Sequence, residues 1–220
     1  MLRHLSAAAP VLLAALLAQA ADPELLFHWR FDEGSGSVAG DASGNGLDGA
    51  VTANWVGSPS GSALFFDGTP ATQVQINLPE GKRLGTGSWT FAAWVKPEHL
   101  GMEGGEQNVR RIFSYGPWPG AHIVMDIGAK GNFSCFMCYT GADGKRVDSG
   151  GSSAPLLKVG EWAHVVMVCD RENGQVRPYV NGVAQDARSL PAGFAGNYNA
   201  GGNLSVGSGW QNFWGAMDEV

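Results

Sequence analysis

Residues 25–31 read Leu-Leu-Phe-His-Trp-Arg-Phe. In an extended chain, successive side chains point to opposite faces. Leu25, Phe27, Trp29 and Phe31 therefore share one face, and His28 and Arg30 the other. The same period of two recurs at residues 62–66, 73–78, 89–95, 111–115, 122–127, 133–139, 162–169, 176–180, 204–206 and 213–220. No window of ten or more residues after position 20 carries the 3.6-residue period of a helix. The runs are separated by Gly34-Ser35-Gly36, Asn45-Gly46, Asp67-Gly68, Asp143-Gly144, Asn173-Gly174 and Asn181-Gly182. These residues tolerate the positive φ of tight turns. About a dozen short strands punctuated this way predict an all-β fold, an antiparallel β-sandwich or jelly roll. Trp29, Phe31, Phe91, Val165 and Val180 are expected in its core.

Composition agrees. The 220 residues include 33 Gly and 11 Pro, which favour many turns, and eight Trp and ten Phe, which are far too many for a disordered chain. The formal net charge is −6 with no basic stripe, which argues against nucleic acid or an anionic membrane as partner. Residues 1–20 have the three-part pattern of a secretory signal: basic Arg3 and His4, an apolar run from Ala7 to Ala18 broken by Pro10, and small residues in Ala18-Gln19-Ala20. That run is too short to span a bilayer. The expected product is one domain, residues 21–220, without a membrane span. It would be secreted to the extracellular space, the cell surface or a periplasm.

Several segments carry a family resemblance. Residues 27–36, Phe-His-Trp-Arg-Phe-Asp-Glu-Gly-Ser-Gly, resemble the opening strand and turn of the LamG-like jelly-roll family, a branch of the concanavalin-A-like lectin/glucanase superfamily. Residues 41–49 (Asp-Ala-Ser-Gly-Asn-Gly-Leu-Asp-Gly), 63–68 (Ala-Leu-Phe-Phe-Asp-Gly) and 91–97 (Phe-Ala-Ala-Trp-Val-Lys-Pro) resemble the family's next segments. Glu161–Val165, Tyr179–Gly182 and Met217–Val220 follow in the same order. The resemblance implies a concanavalin-A-like sandwich. Because the family's last strand runs on past its Asp-Glu-Val, it also implies that residues 21–220 are cut short there. It says little about activity, since sites are grafted on such folds independently.

Three groups of residues could carry chemistry. The loop from Asp41 to Gly49 sets Asp41, Asn45 and Asp48 among glycines, and calcium takes six to eight hard oxygens from such mixtures. The resemblance places Asp218 beside this loop. Asp41, Asn45 and Asp218 are thus expected as ligands of a structural calcium ion; the competing reading is that Asp41 and Asn45 cap turns through their own backbone. Cys135, Cys138 and Cys169 are an odd number, and export favours a disulfide. Cys169 is expected to pair with Cys135 or Cys138 across neighbouring strands, the alternative being three buried thiols. Trp118, Tyr198 and Trp210 lie in Gly-, Pro- or Asn-rich segments and are expected to offer flat rings to a sugar. Trp29, Trp94 and Trp162 are expected to be core.

Catalysis finds little support. Retaining glucanases need two carboxylates about 5–5.5 Å apart, and the Glu-x-Asp-x-x-Glu pattern that supplies them on one strand face is missing. Asp126 is a lone acid on its run, and no Gly-x-Ser-x-Gly elbow occurs. The expectation is a non-catalytic binding module for a glycan or an extracellular protein, supported by calcium. A structural or adhesive domain of a larger extracellular protein is the alternative, and a glycoside hydrolase a third.

Overall fold

In the computed structural model, residues 24–104, 108–192 and 194–220 are described; the signal reading of residues 1–20 lies outside them. The strands are β1 (Val38–Ala39), β2 (Gly49–Val51), β3 (Asn54–Ser58), β4 (Gly61–Asp67), β5 (Val74–Asn77), β6 (Trp89–Pro97), β7 (Val109–Tyr115) and β8 (Ala121–Gly128). They continue with β9 (Asn132–Thr140), β10 (Arg146–Pro155), β11 (Ala163–Asp170), β12 (Gln175–Val180), β13 (Val183–Ala184), β14 (Arg188–Ser189), β15 (Asn203–Val206) and β16 (Trp214–Asp218).

They form two antiparallel sheets. The front sheet has the order β1-β2-β5-β15-β7-β8-β9-β10, the back sheet β13-β12-β11-β6-β16-β4-β3, with β14 also paired to β12. Alternation puts one set of side chains from each sheet into the space between them. Phe113, Tyr115, Ile123, Met125 and Phe133 from the front meet Phe66, Phe91, Val95, Val165 and Met217 from the back, all buried. Phe91 and Phe113 touch across the interior with ring centroids 4.7 Å apart. Each such side chain stabilises the fold by about 1.5–3 kcal/mol. The five expected core residues Trp29, Phe31, Phe91, Val165 and Val180 are indeed buried. Gly46, Gly68, Gly144, Gly174 and Gly182 all take positive φ, as their turns require.

Residues 25–31 depart from expectation. Their faces alternate, but no ladder forms. Trp29 makes an isolated bridge to Asp41 and exchanges both backbone hydrogen bonds with Val220, at 2.8 and 2.9 Å. The run ends because Phe31 adopts φ 54°, the left-handed region that bulky residues avoid. Its carbonyl accepts the Ser62 hydroxyl, and its ring is fully buried. Trp94 also departs: it lies on the outer side of β6, 42% exposed, with its ring 5.2 Å from that of His164. The longest strand, β10, has no apolar alternation to announce it, being Arg-Val-Asp-Ser-Gly-Gly-Ser-Ser-Ala-Pro at the front sheet's edge.

Candidate ligand-binding face

The outer face of the front sheet is built by register. One row of outward positions runs Gln75, Ser205, Ser114, Val124, Phe136, Gly150 across five strand pairings. Toward one margin the next row holds Asn77 and Asn203 on β5 and β15, and His122, Cys138 and Asp148 on β8, β9 and β10. Toward the other margin lie Arg111, Asp126, Ser134 and Ser152. A register shift between Arg111 and Phe113 turns Arg111 outward while Phe113 stays in the core.

Across β5, β15 and β7 this face is hollowed into a trough of about 350 Å³ lined by Gln75, Asn77, Ser114, Gly116, Asn203 and Ser205. Its lining is amide and hydroxyl, able both to donate and to accept. Beside it, Trp118 lies over β8 and β9. Its ring is 5.8 Å from that of His122 and 6.1 Å from that of Phe136. The Arg146 guanidinium stands 5.1 Å from the ring centre and is itself held by Asp148 at 2.6 Å. Thus braced, Trp118 remains 58% exposed. His122 Nδ1 donates to the Gly116 carbonyl at 2.7 Å. Burial pushes its pKa below the usual value, and the Arg111 charge adds to this, so the ring is neutral at physiological pH.

At the opposite margin, Arg111 and Asp126 form a buried two-point ion pair, with Nε–Oδ1 at 2.5 Å and Nη2–Oδ2 at 3.3 Å. Burial raises the Asp126 pKa while the guanidinium opposes it. With both oxygens engaged, this acid is a structural partner rather than a free carboxylate. The 207–213 loop covers the pair: Arg111 N–H donates to the Gln211 carbonyl, and Gly209 packs against the Arg111 side chain. From that loop Trp210 projects, 72% exposed. Four residues of β8 separate the rows beneath the two tryptophans, about 13 Å.

Tyr198 takes no part in this face. It is a core residue, 1% exposed, its hydroxyl buried without a hydrogen-bond partner among the described residues. The disulfide is not formed either: Cys135, Cys138 and Cys169 are free and buried. Cys138 points outward and lies 3.6 Å from the Pro119 carbonyl. Cys135 and Cys169 point inward from opposite sheets, β9 and β11, instead of from neighbouring strands.

The proposed calcium ligands do not fit the ion. Asp41 Oδ1 accepts the His28 and Ser43 amides; Oδ2 accepts the Ser43 hydroxyl and the Leu47 amide. Desolvation opposes ionisation here, but these four bonds together hold the carboxyl below its ordinary pKa. The Asn45 carbonyl oxygen is taken by the Lys82 ammonium at 2.7 Å, a cation where a second cation would be repelled. Asp218 turns to Ser58, and burial raises its pKa, the nearby Glu219 and Asp32 adding to this. Among the described residues no group of three or more His, Cys, Asp or Glu side chains is arranged to hold a metal.

The trough residues had a signal in the sequence. Val-Gln-Ile-Asn at 74–77 and Asn-Leu-Ser-Val at 203–206 each set polar side chains on the face opposite the core. That β5 and β15 are adjacent was not readable from either.

A laminin G family model, described as the Concanavalin A-like lectin/glucanases superfamily, matches residues 66–220. The chain belongs to this superfamily. The binding domain of Paraclostridial Mosquitocidal Protein 1 shares its fold at TM-score 0.66 and 14% identity, over 89% of this chain and 48% of that one. The chain thus spans about half of that domain. Domain 4 of AbnA, a GH43 extracellular arabinanase from Geobacillus stearothermophilus solved with arabinotriose, matches at TM-score 0.62 and 23% identity, over 89% and 90% of the two chains. The botulinum neurotoxin serotype G binding domain matches at 0.64 and 10%, over 88% and 46%. At these identities the likeness establishes the fold. Comparison with curated protein sequences finds no match. No helix among the described residues is long and apolar enough to cross a membrane.

Proposed function

We propose that this superfamily member is a non-catalytic, extracellular glycan-binding module, and that the glycan lies along the outer face of the front sheet. The observation that carries this reading is the amide- and hydroxyl-lined trough running beside the exposed ring of Trp118. A sugar offers apolar C–H faces and polar hydroxyls; the ring suits the first, and Gln75, Asn77, Ser114, Asn203 and Ser205 the second. The arabinotriose-bound relative, matched over nearly the full length of both chains, supports the same chemistry. The two described acids of this face's outward rows are both held in ion pairs, Asp126 at one margin by Arg111 and Asp148 toward the other by Arg146, so they do not form a pair of free carboxylates for hydrolysis. The reading calls on no calcium. A glycan array on the folded domain, run with and without chelator and repeated with Trp118→Ala, tests it. Chelator-insensitive binding that the variant loses is expected. Binding that survives the substitution would move the site elsewhere.

A further inference from the structure

The charged side chains on the outward rows of the front sheet, among the described residues, come as two pairs. Arg146 and Asp148 lie two residues apart on β10 and so project from the same face, opposite Thr140 and Cys138 of β9. Arg146 Nη2 donates to Asp148 Oδ2 at 2.6 Å. Arg111 gives Nε and Nη2 to the two oxygens of Asp126. His122 and Cys138 face each other across β8 and β9 and add no charge, because burial lowers the pKa of the first and raises that of the second. The trough beside them is lined by Gln75, Asn77, Ser114, Asn203 and Ser205, none of them ionisable. The face therefore holds two guanidinium groups and yet sums to zero charge.

The two cations are not equivalent. Arg111 is buried with its acid beneath the 207–213 loop. Arg146 is exposed and stands 5.1 Å from the centre of the Trp118 ring, within reach of a substituent on a sugar stacked there. A free guanidinium at that place would pair with a sugar carboxylate or sulfate through two parallel N–H···O bonds. Asp148 holds it instead, and an anion coming to the remaining donors of Arg146 would stand close to a second negative charge. An exposed pair of this kind adds little to stability. Its consequence lies in what the ring beside it can accept.

We infer that Asp148 determines the ligand class of this face: by holding Arg146 it makes the site one for uncharged glycans and turns away uronates and sulfated sugars. The inference rests on the reading of Trp118 and the trough as the glycan site. Specificity comes from what is made unfavourable for the wrong ligand as much as from contacts to the right one. A neutral sugar loses nothing at Asp148, whose carboxylate accepts a hydroxyl as readily as a guanidinium N–H. The formal net charge of −6 acts in the same direction at longer range.

The test prints galactotriose, mannotriose, cellotriose and arabinotriose on an array, each beside the same chain with its free primary hydroxyls oxidised to carboxylates. The unsubstituted protein and its Asp148→Asn variant are applied at low and at high salt. Asparagine keeps an acceptor for Arg146 and removes the charge. The unsubstituted protein is expected to bind at least one neutral chain roughly tenfold or more tightly than its oxidised form. In Asp148→Asn that ratio should fall roughly fivefold or more. The gain toward the oxidised chain should fade at about 1 M salt, where charges are screened within about 3 Å, and should be absent from the double variant Arg146→Gln/Asp148→Asn. Trp118→Ala separates two kinds of failure. If no probe binds, or if binding survives Trp118→Ala, the glycan reading of this face falls and the inference with it. If binding depends on Trp118 but the oxidised chains bind as well as the neutral ones, or if Asp148→Asn leaves the ratio where it was, the inference alone is overturned.

Discussion

The loop from Asp41 to Gly49 and the trough on the front sheet are both rich in small polar residues, yet they use them in opposite ways. In the loop the Asp41 and Asn45 side chains are fully engaged: Asp41 accepts four hydrogen bonds, its own amide donates to Asp48, and Asn45 bonds to Leu25, Leu26, Ser43 and Lys82. In the trough the side chains of Asn77, Ser114 and Asn203 make no hydrogen bond within the described residues. Polar groups that satisfy one another hold a fold together. Those that face solvent with their donors and acceptors open are free to meet a ligand. From the sequence the loop is the more eye-catching of the two, because acids among glycines look like a metal site. The structure assigns it to architecture.

The contrast can be broken at several points. The largest expected effect is on Asp41→Ala, which strands the His28, Ser43 and Leu47 amides together. It should cost about 2–3 kcal/mol of stability in urea unfolding and leave glycan affinity unchanged in the fraction that remains folded. Next is Trp118→Ala. It should weaken glycan binding by roughly ten- to a hundredfold by calorimetry while moving the melting temperature little, since the ring is mostly exposed. A smaller effect follows from His122. Its folded pKa lies below that of the unfolded chain, so the unfolded state takes up more protons as the medium turns acid. Stability from this group is complete above about pH 6.5 and falls as the pH drops below it. His122→Gln should flatten that part of the curve of melting temperature against pH. The smallest expectation is none at all: neither a calcium chelator nor a reductant should shift the melting temperature. A fall with chelator would return the Asp41 loop to the class of cation sites.

The fold was largely legible because period-two alternation and Asn-Gly or Asp-Gly turns are local signals. All ten alternating runs after residue 60 lie on observed strands. What stayed hidden was non-local. β10 carries glycines and serines because an edge strand needs backbone pairing on one side only. Residues 25–31 have a strand's pattern without a ladder because Phe31 turns left-handed and backbone pairing is confined to Trp29 and the His28 carbonyl. For the site, Trp118 and Trp210 were readable as loop aromatics, whereas Tyr198 has the same local setting and is buried. The trough needed knowledge of which strands are neighbours, as did the placement of Cys135 and Cys169 on opposite sheets.

The pairing of Trp29 with Val220 has a kinetic side. Together with the His28–Glu219 contact at 2.6 Å, it joins residues 191 positions apart. Closing so long a loop costs chain entropy before any contact repays it. This clasp should therefore form after the two sheets have met, and its interactions should be largely absent from the folding transition state. Weakening it by Glu219→Gln would then leave the refolding rate nearly unchanged and speed unfolding, so that the lifetime of the folded state, rather than the ease of reaching it, is what the clasp governs.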